Sequence, residues 1–415
     1  MIEILILIYV LENFFMIYRQ YKKPMGIFSP VYIVAFMSLG QMLPQLTTIY
    51  YLPNIYDRSI MYNLLITMIT CNFAFFIGCE NKKTYNKGRI LDIKNKYILL
   101  LILLFTPCSF IFDYIVSGSG IGNGVDGVIA FQFQALGFIS LILCLVYLRN
   151  HKFTLLLISC LIISTYPILH YAWGIYGSRL STFVVALLYA YLFAVKYPQK
   201  YNVIKKYFTI FFVVGCIGSL SISDVRNNMS NESISSVGSI DFIGNMKKAF
   251  AGGSYNYSAG MDLGNAALGI NYCFENNEYN FGAFIWNGFV FNYIPKRFVG
   301  ENVKKSMIIP FEADKYIQVL TRGITCTTGY YDAFSSFSWF GFIVFYILAR
   351  LFVWLRSRGE YSVFYMVIYF FMLSNIAVAI THGLQLVLAK IEFLIILFCF
   401  LGFMLYRKNL NKAIA

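Results

Sequence analysis

The chain has 415 residues, of which 59% are hydrophobic, 19% aromatic and only 13% charged, with a formal net charge of +14. A soluble domain carries about 25% charged residues, so a soluble globular fold is excluded. In so apolar a chain the basic excess reads as topology signals and lipid contact, not as a nucleic-acid surface.

Apolar runs long enough to cross a roughly 30 Å hydrocarbon core recur along the chain. They predict an all-α polytopic membrane protein of about eleven transmembrane helices, near residues 2–18, 27–51, 60–78, 97–116, 128–148, 153–171, 180–196, 206–223, 335–355, 361–380 and 384–406. The first run has no basic leader and no small-residue cleavage site, so it reads as a membrane helix and not as a signal peptide. Glu3, Glu12 and Asp113 are expected near helix ends or in hydrated surroundings. Pro44 and Pro167 predict kinks in the second and sixth helices.

One long polar stretch interrupts the series. The expected division is a transmembrane bundle over 1–223, a large extracytoplasmic loop with short amphipathic or re-entrant segments over 224–334, and three further helices over 335–415. The loop begins Ser/Asn-rich (Asp224 to Gly253) and has an aromatic, apolar middle (Phe281 to Tyr293). That middle is too short to span, and suits the interface or re-entry into the bilayer. Nine cysteines stand singly, and most behave as small hydrophobes in apolar runs. Cys273 and Cys326 fall in the loop and are able to pair there if it lies outside the cytoplasm.

Orientation follows from alternate loops. One set holds Arg19, Lys22 and Lys23; Lys82, Lys83, Lys87, Arg89, Lys94 and Lys96; Arg149 and Lys152; Lys196, Lys200, Lys205 and Lys206; Arg350, Arg356 and Arg358; and Arg407, Lys408 and Lys412. The short loops of the other set hold only Arg58 and Arg179. The positive-inside rule puts the first set in the cytoplasm. An odd helix number then leaves the N-terminus outside, the C-terminus inside and residues 224–334 on the outer face.

Few residues suggest chemistry. The sequence has no P-loop, no Gly-x-Ser-x-Gly elbow, no HExxH and no Asp-x-Asp. Glu312-Ala-Asp314 is a lone carboxylate pair, and His151, His170 and His382 are dispersed. No metal and no cofactor is expected. Four arginines fall on the outer side: Arg179, Arg226, Arg297 and Arg322. A guanidinium binds phosphate bidentately, so together they would cradle a pyrophosphate. Each equally suits lipid headgroups, or pairing with Asp224, Asp241 or Asp332. His382 lies in Thr381-His382-Gly383, the outer turn between the last two helices. There it either accepts a hydroxyl proton or is held as a turn residue. His170, near the outer end of the sixth helix, is second, and Asp332 is the acidic alternative. Lys390, two turns deeper in the last helix, belongs facing a cavity or a partner helix.

Three segments resemble a family. Gly177-Ser178-Arg179-Leu180 is similar to the Gly-x-Arg-Gly signature of bacterial O-antigen polymerases of the Wzy type, with Leu180 in place of the second glycine. Tyr293-Ile294-Pro295-Lys296-Arg297, followed by Glu301 and Lys304-Lys305, resembles that family's Ile-Pro-Arg segment. Gly329-Tyr330-Tyr331-Asp332-Ala333-Phe334, leading to Trp339-Phe340-Gly341, resembles its acidic entry into the next helix. The family's arginine-x10-glycine pattern is not met after Arg179 or Arg322. The resemblance implies a metal-independent glycosyltransferase of the bacterial inner membrane. It would polymerise oligosaccharide repeat units carried on undecaprenyl pyrophosphate at the periplasmic face, in lipopolysaccharide biosynthesis. Its partners would be those lipid-linked glycans, the bilayer and a polysaccharide chain-length regulator. An O-antigen ligase acting on lipid A-core, a repeat-unit flippase and a lipid-linked glycosyltransferase of the oligosaccharyltransferase type remain competing readings.

Overall fold

The structure, a computed structural model, describes residues 1–80, 95–119, 135–170, 179–219, 262–294, 296–320 and 327–388. Its elements there are helical throughout. The first is α1 (Ile2–Tyr21), whose Tyr9, Asn13, Met16 and Gln20 form a buried stripe at helical spacing. A single 3-10 turn (Gly26–Phe28) leads to α2 (Pro30–Met37), started by the Ser29 side chain, which accepts the Tyr32 N–H. A π-helical turn (Ser38–Met42) then joins it to α3 (Leu43–Tyr50). The single helix expected over 27–51 is thus continuous from Pro30 to Tyr50, with a π-helical turn in its middle just before Pro44. Pro44 has no N–H to donate and crowds the carbonyl four residues back, and the wide turn before it absorbs that conflict.

α4 (Arg58–Glu80) and α5 (Asn95–Ser119) follow. Next are α6 (Ala135–Asn150), α7 (Leu155–His170, with Pro167 inside it), α8 (Arg179–Lys196) and α9 (Tyr201–Ser219). The stretch expected to be a loop contains α10 (Asp262–Asn276), α11 (Ala283–Tyr293), α12 (Lys296–Val299), α13 (Glu301–Met307) and α14 (Glu312–Leu320). The helix expected from residue 335 begins earlier, as α15 (Gly329–Phe337). It breaks at Ser338, whose φ is +54°, into a 3-10 turn (Ser338–Gly341), and resumes as α16 (Phe342–Gly359). α17 (Val363–His382) ends in a 3-10 turn (Leu384–Leu388). The eleventh predicted helix lies almost wholly outside the described residues.

Four helical stretches, Arg58–Glu80, Lys96–Ile115, Gly329–Gly359 and Val363–His382, are long and apolar enough to cross a bilayer. Leu136–Arg149, Leu155–His170 and Thr182–Lys196 are shorter apolar helices. Burial runs the way a lipid solvent requires. Ile4, Leu7, Leu11, Phe14, Ile343 and Ile347 are exposed, whereas Asn13, Ser38, Asn72, Ser140 and Ser164 are fully buried. The chain has the build of an α-helical membrane protein.

The chain forms two compact units. The first comprises Met1–Lys82, Thr209–Phe352 and Ile376–Val387; the second comprises Lys83–Phe208, Val353–Asn375 and Leu388–Ala415. In the first, α10 is an inner element packed on α3, α4, α14 and α15. Gln45 of α3 accepts the Leu263 N–H at 3.0 Å, and Asn63 of α4 donates to Asn271 at 3.3 Å. In the second, α5, α6 and α7 meet over small residues. The hydroxyls of Thr106, Ser140 and Ser164 bond one another at 2.7 to 3.2 Å, so each polar group between the helices has a partner.

Candidate functional site

The site lies within the first unit, and the break in the chain after α17 builds it. Gly383 adopts φ +117°, which an L side chain rarely takes, and a Cβ there would come within 3.1 Å of Asp332 Oδ2. The turn it allows carries the Leu384 N–H onto Asp332 Oδ2 at 2.6 Å. Asp332, expected in a loop, is instead inside α15 and buried. Its carboxylate is thus fixed beneath the His382 turn.

His382 Nδ1 lies 2.6 Å from the Thr381 hydroxyl. That hydroxyl also reaches Ala377 O and Val378 O at 3.2 and 3.1 Å. When its proton goes to backbone, its oxygen accepts from Nδ1–H and Nε2 keeps a lone pair. The nearest acid to Nε2 is Asp262 at 3.6 Å, too long for a hydrogen bond. Burial pushes the Asp262 carboxyl up to about 7.

Beside His382 is a cavity of about 520 Å³, lined by His382, Asp332, Gln385, Asn287, Gln318, Asp314 and Tyr331 together with Phe284 and Phe311. The wall formed by α11 is tied down through side chains. Trp286 Nε1 donates to Met307 O at 2.7 Å, and Asn287 both donates to Ile309 O and accepts from Ile309 N at 2.9 Å. Asn280 pins the start of α11 to α15, accepting from Ser336 Oγ and donating to Ser335 Oγ. Gln385 Oε1 is buried at the cavity with no hydrogen-bond partner among the described residues. A buried acceptor in that state suits a ligand donor. A pocket of amides, carboxylates and aromatic rings can hydrogen-bond a polyhydroxylated molecule and cover its apolar faces.

Of the residues singled out in the sequence, the structure brings His382 and Asp332 together. His170 lies in the second unit, where Nδ1 meets Asp113 Oδ2 at 2.9 Å. Asp113, near the end of α5 as one of its two expected settings had it, is buried and paired, not hydrated. Arg179 opens α8 and Arg297 is the second residue of α12. Their side chains lie outside the described residues, as do Arg226, Arg322 and Lys390 altogether. Glu312 and Asp314 do not act as a pair. Glu312 is exposed and bonds Lys315 at 2.5 Å, whereas Asp314 is held by the Tyr331 hydroxyl at 2.6 Å and is raised from its ordinary value by burial. Cys273 is a buried, free thiol, and Cys326 lies outside the described residues.

Sequence reasoning missed Asp262, Asn287 and Gln385. Asp262 had a visible signal, since it heads a segment with Leu263, Ala266, Ala267 and Ile270 at helical spacing. Compared with profiles of known protein families, with curated proteins and with solved structures, the chain finds no significant match.

Proposed function

We propose that the chain is a glycosyltransferase that polymerises lipid-linked oligosaccharide repeat units at the outer face of the bacterial inner membrane. The observation that carries the reading is the cavity at the His382 turn, with an imidazole beside a wall of amides and carboxyl groups. The outer-face arginines and the three segments resembling Wzy-type polymerases support it. An undecaprenyl-pyrophosphate donor is already activated, which agrees with a sequence lacking nucleotide-binding motifs.

In this reaction an acceptor sugar hydroxyl attacks the anomeric carbon of the growing glycan. The bond from that carbon to the pyrophosphate oxygen breaks, and the hydroxyl proton passes to His382 Nε2. A positioned base contributes about 10²–10⁴-fold. Asp332 holds the turn, and Asp262 stabilises the imidazolium once the proton has arrived. Arg297, Arg226 and Arg322 of the first unit receive the pyrophosphate, and a chain-length regulator would act as a protein partner. With eleven spans, the N-terminus is outside and the C-terminus in the cytoplasm.

The test is extension of a synthetic polyprenyl-pyrophosphate oligosaccharide by purified protein in liposomes, read as a ladder on a gel. Wild type is expected to lengthen the glycan on its lipid. His382→Ala should lose the ladder, and Arg297→Lys should shorten it because it keeps charge but loses the bidentate fork. Wild-type ladders from both His382→Ala and Arg297→Lys would overturn the reading. Transfer only to an added lipid A-core acceptor would replace polymerisation with ligation.

A further inference from the structure

Glu12 is an acid that the proposed reaction leaves unused. The observed helix α1 continues to Tyr21, which places Glu12 at its centre, roughly 14–15 Å from either end at 1.5 Å per residue. That is the middle of the helix that the sequence predicts as the first span, away from its ends. Glu12 stands beside the buried Tyr9–Asn13–Met16 stripe. Both carboxyl oxygens are buried and have no hydrogen-bond partner among the described residues. The nearby basic side chains are engaged elsewhere, with Arg19 and Lys23 both paired to Glu80.

The surroundings are polar but uncharged. Asn72 donates to Asn13 Oδ1 at 3.3 Å and lies 3.2 Å from Ser38 Oγ. Tyr330 donates to Asn72 Oδ1 at 2.9 Å and meets Ser38 Oγ at 3.1 Å. Tyr9 donates to the Ser38 carbonyl at 3.1 Å, in the π-helical turn. Such turns leave carbonyls out of register and recur at functional sites. Among the described residues, the titratable groups close enough to feel charge on Glu12 are Tyr9 on its own helix, Cys71 on α4 and Tyr330 on α15. None of them is a cation. A bare carboxylate so placed is among the costliest groups a helix can hold, and intramembrane acids mark ion and proton sites.

We propose that Glu12 is a monovalent-cation site, a carboxyl that takes up a proton or a sodium ion at mid-helix beside the Asn13–Ser38–Asn72–Tyr330 network. The network reaches α15, the helix that carries Asp332, so ion uptake has a physical route to the cavity. The site stands independently of what the cavity binds.

The test uses dicyclohexylcarbodiimide on the purified full-length wild-type protein in detergent. This apolar reagent adds across a protonated carboxyl. The carboxyl proton passes to a carbodiimide nitrogen, the carboxyl oxygen bonds to the central carbon, and an acyl shift gives a stable N-acylurea. Peptide mass mapping is expected to show an adduct on Glu12 that forms more slowly as pH rises and is absent from Glu12→Gln. If sodium chloride slows labelling at constant pH where choline chloride does not, the cation is sodium; if neither salt matters, it is the proton. An unmodified Glu12 across the whole pH range, in monodisperse protein, would overturn the proposal. So would labelling at a rate indifferent to both pH and sodium.

Discussion

Asp332→Asn separates two roles for the buried acid. The substitution keeps size and an acceptor oxygen for the Leu384 N–H, now held at 2.6 Å, but replaces the ionisable carboxyl with a neutral amide. A hydrogen bond to a charged group contributes about 1.5–3 kcal/mol and a neutral one about 0.5–1.5 kcal/mol. Where the Asp332 carboxyl is ionised, the tether on the turn therefore weakens by about 1 kcal/mol, roughly fivefold in the balance between held and released turn. If Asp332 only positions the turn, initial rates of glycan extension should fall about fivefold, whereas His382→Ala should fall by about 10²–10⁴-fold. Thermal midpoints of the purified variants, read in the same detergent, control for folding. A loss beyond about 10²-fold in Asp332→Asn at an unchanged midpoint would refute the reasoning. It would make Asp332 the base and His382 a turn residue.

Two further outcomes test the packing around this site. Burial raises the Asp262 carboxyl from 3.8 to about 7, so the folded protein holds a proton there that the unfolded chain has released. This contribution to stability is fully present below about pH 4 and is lost as pH rises through about 7. Asp262→Asn, neutral at every pH, should give a flatter melting profile over that interval, and an unchanged slope would show that Asp262 is already charged in the fold. Gly341 has its Cβ direction blocked at 2.3 Å by Ala333 O, which is backbone and cannot move aside. Gly341→Ala should cost on the order of 1–3 kcal/mol, seen as a lowered midpoint in thermal unfolding; a wild-type midpoint would mean that the 3-10 turn does not pack on α15.

Much of the architecture was legible because a span must be apolar over its whole length, and such runs stand out without knowledge of partners. α4, α5, α16 and α17 all follow from that one constraint. The irregularity within 27–51 was only half legible: Pro44 announces strain, but whether a chain kinks or widens into a π turn depends on what packs against it. α10 was illegible as an inner element. Asp262, Asn265, Asn271 and Glu275 read as loop polarity, and the burial of Asn271 rests on its bonds to the facing Asn63 and to Glu275 one turn on. The site divides along the same line. His382 and Asp332 carry local marks, a Gly-flanked turn and an acidic helix entry. The juxtaposition of Asp262 with His382 is a product of tertiary packing and has no local mark.

The placement of α10 against α4 sets a clock on biosynthesis. The amide of Asn63 finds its partner Asn271 only 208 residues later in the chain. At about 5–20 residues per second of translation, ~10–40 s pass between the two. For that time α4 has emerged with the Asn63 amide still without Asn271, while Asn72 can already meet Asn13 and Ser38 of the preceding elements. The first unit therefore cannot complete its interior while its opening segments are being inserted. A factor that shelters a half-polar span during synthesis would act on α4 before any other helix of this chain.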